Sequence, residues 1–290
     1  MQSENPEDDV ITRLVQWAEQ QPLVRALLLT SSRANPAAPV DSLSDYDVIL
    51  VVSEMPPFSE GEDWLHAFGN ILVKFRGSDP RNEHELLTQL VVYEDGTKID
   101  YTVWTLDKLK QVSKQPQLPD ALDVGYRALL DKDALTASLQ SPTYWAHIPP
   151  KPTRQEFEAL VEEFWWETTY VAKNLWRGEL FPARYSFECV IKIDLLRRLL
   201  EWHVEIEHGW SIKPGTLGRG LKNRLSSELW AQVESTFVGA DMEENWNALF
   251  RTTELFRTVA IEVAQHLGYD YPHTLDERMM VYLNGIRNLD

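Results

Sequence analysis

Residues 27–52, LLLTSSRANPAAPVDSLSDYDVILVV, run an apolar strand into two serines and a polar loop, then into Asp45-Tyr46-Asp47 at the mouth of a second apolar strand. Alternation along a strand places Asp45 and Asp47 on one face, about 7 Å apart at roughly 3.3 Å per residue. Two carboxylates so placed repel each other unless a cation sits between them. The segment therefore asks for a cation, and for something on which that cation works.

The rest of the chain divides by periodicity. The first half mixes short strands with helices. Pro6 to Gln20 reads as an amphipathic helix with Val10, Leu14 and Trp17 at helical spacing, followed by strands at Val24–Thr30 and Tyr46–Val52. The pattern predicts a helix around Asp63–Phe68, a strand near Ile71–Phe75, and a hairpin joining Leu87–Tyr93 to Lys98–Trp104, with Asp95-Gly96 as its turn. The proline-rich stretch SPTYWAHIPPKPT, Ser141 to Thr153, reads as a linker. Beyond it the pattern is helical, near Arg154–Arg177, Ala183–His208, Lys222–Phe237, Met242–Leu267 and onward from Leu275. Tryptophans recur along these helices, Trp165, Trp166 and Trp176 among them, and an aromatic stripe at helical spacing is expected to be core. The fold class is α+β: a domain over 1–145 with a mixed sheet flanked by helices, then a helical-bundle domain over 146–290.

With 43% hydrophobic and 25% charged residues the chain is not disordered over most of its length. Its net charge of -17 repels nucleic-acid backbones and anionic membranes and attracts polycationic small molecules, although an acidic surface also serves solubility. The single cysteine, Cys189, rules out an intramolecular disulfide and fits a reducing cytosol. The start MQSENPEDDV lacks the basic and apolar segments of a secretory signal, and no apolar run reaches the roughly 20 residues of a membrane helix. These features predict a cytoplasmic protein with neither nucleic acid nor membrane as partner; oligomeric state stays open, a monomer being favoured.

The chemistry concentrates in the first domain. A hydroxyl turn at Ser31-Ser32, a spacer and then Asp45 and Asp47 resemble the nucleotidyltransferase pattern, in which the turn offers N–H groups and a hydroxyl to phosphates and the acids hold Mg²⁺. A two-metal site needs a third acid, and Asp100 in TKIDYTVW lies on a strand among apolar and aromatic residues, where an unpaired carboxylate is costly. His203 and His208 flank a helix end before Gly209 and read as a terminus rather than a zinc site. There is no strand-linked Gly-x-Gly-x-x-Gly and no Walker loop.

Taken with YVAKNLWRGEL, ARYSFECVIKIDLLRRLLEWHVE and GWSIKPGTLGRGLKNRLSSELW in the helical half, SSRANP…DSLSDYDV and EDGTKIDYT make the chain similar to the aminoglycoside 6-adenylyltransferases, also called streptomycin adenylyltransferases. The resemblance covers nearly the whole chain. It implies transfer of AMP from ATP, a co-substrate, to a hydroxyl of a cationic aminoglycoside such as streptomycin, with release of pyrophosphate and dependence on two Mg²⁺ ions. Carried over by residue, it makes Asp45, Asp47 and Asp100 metal ligands, with Asp100 also the general base, and places Ser31, Ser32 and Arg33 at the triphosphate. Two departures stand out: Ser31 occupies a position that is usually Gly in the wider superfamily, and the block 77–85, GSDPRNEHE, is unlike the family and would bear on the acceptor pocket. The same fold would also suit another small-molecule or protein acceptor, or an inactive nucleotide-binding homologue.

In FWWETTYVAKNLWRGEL, Trp166, Tyr170, Lys173 and Arg177 share one helix face, while Trp165, Thr169, Ala172 and Trp176 share another; one of the two should be core. Lys173 and Arg177 either clamp a triphosphate, which the resemblance favours for Lys173, or form a solvated stripe. Glu163, Glu179 and Glu188, with Trp166 and Tyr170, are the candidates for gripping a cationic acceptor; each acid taken alone also reads as surface. The active site is expected between the sheet and the helical domain.

Overall fold

The computed structural model describes residues 6–77, 86–212 and 215–289, so the block from 78 to 85 lies outside the described residues. The chain forms two compact units, Met1–Ala146 and His147–Asp290.

In the first unit, helix α1 (Pro6–Gln20) precedes strand β1 (Val24–Thr30), and β2 (Tyr46–Val52) pairs antiparallel with it. Both strands are almost wholly buried along their length, as apolar runs in the middle of a sheet must be. After the short helix α2 (Pro56–Ser59), residues Asp63–Phe68 form a 3₁₀ segment rather than an α-helix, with Leu65 and Phe68 buried. Gly69, at a φ of 143°, closes the segment. Strand β3 (Ile71–Gly77) leads to the hairpin of β4 (Leu86–Tyr93) and β5 (Lys98–Thr105), where Gly96 takes the positive φ of 84° that the turn requires.

Helix α3 (Leu106–Ser113), capped by the Thr105 hydroxyl, and strand β6 (Tyr126–Asp131), which follows the short α4 (Asp120–Asp123), are not anticipated in the sequence, nor are the short helices α2 and α4. β6 pairs with β1 at a sheet edge and is part-buried to exposed along its length, so it lacks the alternation that betrays a strand. Just beyond it, Lys132 donates from Nζ to the carbonyls of Ala18 and Gln21, both at 2.8 Å, at the C-terminal end of α1, where cationic donors are favoured.

The sheet order is β3-β4-β5-β2-β1-β6, mixed because β2 and β5 run parallel. Leu14, Leu27, Leu50, Tyr101 and Phe68 fill one face of the sheet. On the other, Leu28, Ile49, Val51 and Trp104 pack with Leu109 and Val112 of α3.

The second unit is helical, beginning with α5 (Arg154–Trp176), which a Thr153/Glu156 capping box starts immediately after Pro152. Its buried stripe runs through Phe157, Leu160, Val161, Phe164, Trp165, Thr168, Val171, Ala172 and Leu175. Of the tryptophans, most of which are expected in the core, Trp165 lies on this stripe, whereas Trp166 and Trp176 are 62% and 47% exposed, because the stripe follows one side of the helix and these two fall off it. The single helix expected over Ala183–His208 is instead α6 (Leu180–Arg184), a π-helical stretch at Tyr185–Leu196 and α7 (Arg197–His208). The stretch expected over Lys222–Phe237 shortens to α8 (Ser227–Ser235), whose cap is Ser226. α9 (Met242–Leu267) and α10 (His273–Arg287) complete the unit. Among the described residues no helix is long and apolar enough to cross a membrane.

Candidate active site

The parallel register sets Asp47 of β2 directly opposite Asp100 of β5. Side-chain alternation puts both on the sheet face of Ile49 and Trp104, at the end of the strands beyond α3's packing. Burial, reinforced by the charge of Asp100 and less by that of Asp45, pushes the Asp47 carboxyl up to about 6, while a hydrogen bond from the Ser31 hydroxyl pulls it back. Asp100 is likewise raised, chiefly by burial, and Lys98 opposes the rise. One Asp100 oxygen, Oδ1, is buried without a hydrogen-bond partner among the described residues. The acid that repels Asp47 most is therefore Asp100, not the sequence neighbour Asp45.

Asp45 precedes β2 and takes another course. Its carboxylate Oδ2 lies 2.6 Å from Lys98 Nζ, and the same ammonium is 3.5 Å from Asp100 Oδ2. Lys98 opens β5 two residues before Asp100, so both side chains project from the same face. The only local sign of this lysine's place at the site is its spacing from Asp100 in TKID.

The hydroxyl turn closes β1. Residues Ser31–Ala34 form one 3₁₀ turn, and Ser31 adopts a left-handed backbone with φ of 62°, the conformation for which glycine is ordinarily used. A serine at this position thus keeps the glycine geometry and adds a hydroxyl that reaches Asp47. The Ser31 N–H donates to the Gly125 carbonyl at 3.1 Å, and a Cβ on Gly125 would come within 3.2 Å of the Ala34 and Asn35 backbone. Gly125 thereby lets the turn sit against the start of β6, a role sequence reading missed. Arg33 donates from Nε to the Asp45 carbonyl at 3.0 Å and from Nη2 to the Ser44 carbonyl at 2.7 Å, with its guanidinium over the Tyr46 ring. It ties the loop before Asp45 to the turn. Ser32 lies inside the turn, half-buried.

Whether these groups suit Mg²⁺ follows from their chemistry. Carboxylate oxygens are the donors a hard cation takes, and a buried oxygen lacking a partner is one that a cation would satisfy. Asp47 and Asp100 fit that requirement. Among the described residues, however, no three acid, histidine or cysteine groups gather as a ready metal cage. Asp45 is instead drawn toward Lys98. Three converging carboxylates without a counter-charge would repel one another, and the ammonium relieves that repulsion.

The remaining candidates belong to the second unit and are described within it. Trp166 and Tyr170 make an edge-on ring pair, and the Lys173 ammonium stands 4.5 Å from the Tyr170 ring centre. Arg177 caps the end of α5, and Glu163 and Glu179 are exposed. Glu188 departs from the expectation of an available acid: its Oε1 lies 2.8 Å from the buried Lys192 ammonium and 3.4 Å from Arg184, so its charge is already neutralised. Glu167, not singled out in the sequence, is raised by burial and by Glu163 and bonds Ser186 of the π-helical stretch.

The chain is similar to the aminoglycoside 6-adenylyltransferases of Bacillus subtilis (strain 168), at 29% identity over 97% of each chain, and of Campylobacter jejuni, at 29% over 96% of this chain and 94% of that one. Among solved structures it is similar to the crystal structure of an aminoglycoside 6-adenyltransferase from Bacillus subtilis, at 25% identity over 99% of this chain and 100% of that one, with a TM-score of 0.48. The profile described as streptomycin adenylyltransferase matches residues 4–286, so the chain belongs to the streptomycin adenylyltransferase family of nucleotidyltransferases.

Proposed function

We propose that the protein transfers AMP from ATP to a hydroxyl of an aminoglycoside, streptomycin first among them, and so confers resistance to it. The observation that carries this reading is the Asp47–Asp100 pair, register partners beside a left-handed hydroxyl turn, in a chain whose family match spans almost its full length. The acceptor oxygen attacks the α-phosphorus of ATP, the bond to the bridging oxygen of the β-phosphate breaks, and pyrophosphate leaves. Asp45, Asp47 and Asp100 would hold two Mg²⁺ ions, whose chemistry is to activate the hydroxyl and neutralise the departing pyrophosphate.

The chain's own residues do the rest. Asp100, raised by burial, accepts the hydroxyl proton, since a base works best when its affinity for the proton approaches the operating pH. Ser32 presents its hydroxyl and backbone N–H to the phosphates, Ser31, whose N–H is taken by the Gly125 carbonyl, adds its hydroxyl at the edge of the same turn, and Arg33 fixes the loop that carries Asp45. Lys173 and Arg177 bind the triphosphate by charge. Glu163, Glu179, Trp166 and Tyr170 form an acidic, aromatic surface for the ammonium and guanidinium groups of the acceptor, while Glu188, neutralised by Lys192, contributes to the fold of the second unit. The net charge of -17 favours capture of such a polycation from solution.

The test is pyrophosphate release by the purified protein with ATP and Mg²⁺ across a panel of aminoglycosides. Release dependent on streptomycin, with adenylylated streptomycin in the product, supports the reading. Release that no aminoglycoside stimulates overturns it.

A further inference from the structure

The position of Lys98 goes beyond the roles assigned so far. Its ammonium lies 2.6 Å from Asp45 Oδ2 and 3.5 Å from Asp100 Oδ2, the only positive side chain the described residues place between two of the three site acids. No tight cage holds it there. The side chain is 38% exposed and stands on the first residue of β5, just past the Asp95-Gly96 turn, so a four-carbon stem can withdraw it into solvent at little cost. Asp100 Oδ1 stays unsatisfied even with the lysine present, which shows that the ammonium neutralises the acids only in part. Asp47, the third acid, takes its hydrogen bond from Ser31 instead.

We propose that Lys98 is the resident cation of the carboxylate cluster, holding Asp45 toward Asp100 in the absence of metal and competing with the divalent ion for the same oxygens. This inference rests on the reading of Asp45, Asp47 and Asp100 as a divalent-cation site. It makes Lys98 a positioning residue with two effects: it stabilises the metal-free fold by screening charges that would otherwise repel, and it weakens metal binding until the ammonium is displaced. Because metal reaches such sites bound to nucleotide phosphates, the displaced ammonium is released beside an anion that can accept it. The ion pair thereby discourages occupation by free metal and permits occupation by the metal–nucleotide complex.

The experiment is titration of the full chain with Mn²⁺, without nucleotide, followed by the paramagnetic resonance signal of free Mn²⁺, together with melting temperatures at each concentration. Lys98→Met should bind Mn²⁺ more tightly than wild type, on the order of tenfold for removal of one positive charge at contact distance in a partly screened site. Its metal-free melting temperature should fall below wild type, and saturating Mn²⁺ should close the gap. Lys98→Arg, which keeps both charge and fold, should bind Mn²⁺ no more tightly than wild type; tighter binding by this variant overturns the proposal whether or not Lys98→Met folds. Equal or weaker binding by Lys98→Met also overturns it and leaves the metal site standing. Absence of Mn²⁺ binding by wild type and by Lys98→Met alike removes the metal site itself, and the proposal with it.

Discussion

Asp47 and Asp100 are register partners across the parallel strands β2 and β5, and burial together with the charge of Asp100 lifts the Asp47 carboxyl to about 6. An acid that titrates higher folded than unfolded favours the fold below its ordinary value of 3.8 and loses that contribution as pH rises through about 6. Metal-free stability should therefore decline across that window. Asp47→Asn should abolish this component of the decline, standing about 1 kcal/mol above wild type at neutral pH and level with it in acid, while losing adenylyl transfer. Urea titrations at both pH values, without divalent cations, check the sign. Full turnover by the variant would remove Asp47 from the mechanism.

Asp100 acts in the chemical step. Asp100→Ala should lower kcat by a factor of about 10² to 10⁴, the usual contribution of a general base, with little change in the KM for streptomycin. Steady-state kinetics at saturating ATP separate the two parameters. A rise in KM alone would place Asp100 in acceptor binding instead.

Ser31 combines a strained backbone with a useful hydroxyl, and two substitutions separate these properties. Ser31→Gly relieves the left-handed cost of about 1 kcal/mol, whereas Ser31→Ala keeps it, so the glycine variant should be the more stable of the two by about that amount. Both lose the hydrogen bond that restrains Asp47, and in both the Asp47 carboxyl should titrate above wild type. Carboxyl NMR titration reads this directly. An unchanged Asp47 titration in both would show that the hydroxyl does not bond it in solution.

Gln89 supplies a test of the core. It is 1% exposed on β4, opposite Tyr101 in register and so on the sheet face away from Asp100, and neither end of its amide has a partner among the described residues. An unmade buried hydrogen bond costs about 1–3 kcal/mol, and methionine is similar in size and shape. Gln89→Met should melt higher than wild type and leave activity unchanged. A lower melting point would mean that the amide finds partners in solution.

The strands β1 and β2 and the long helix α9 were legible in the sequence because each is specified locally, by an unbroken apolar run between polar turns or by a 3.6-residue stripe between the Asp241 cap and Gly268. Asp47 and Asp100 stand out as candidates for a related reason, since a carboxylate in an apolar strand needs a purpose, and Asp45 joins them by its spacing from Asp47. β6 was not, since an exposed edge strand has no alternating pattern and exists only through its pairing with β1. Nor was the π-helical stretch at Tyr185–Leu196, whose apolar residues continue the helical rhythm on either side while its hydrogen bonds do not.

The division is sharpest in the site. Composition and spacing named three acids and a hydroxyl turn, but which acid faces which depended on β5, rather than a sequence neighbour, lying parallel to β2. Lys98 lies 53 residues from Asp45 and reads locally as a solvent-facing lysine on a strand; only the parallel pairing of β5 with β2 brings its ammonium onto that carboxylate. Arg33 was legible as a cation near the turn, yet the path of the loop decided that it serves the carbonyls of Ser44 and Asp45. Local sequence encodes what each residue would bury or expose, within a window of a few turns or one strand. Pairing between distant charges is set by strand order and register, which form only when the whole sheet assembles.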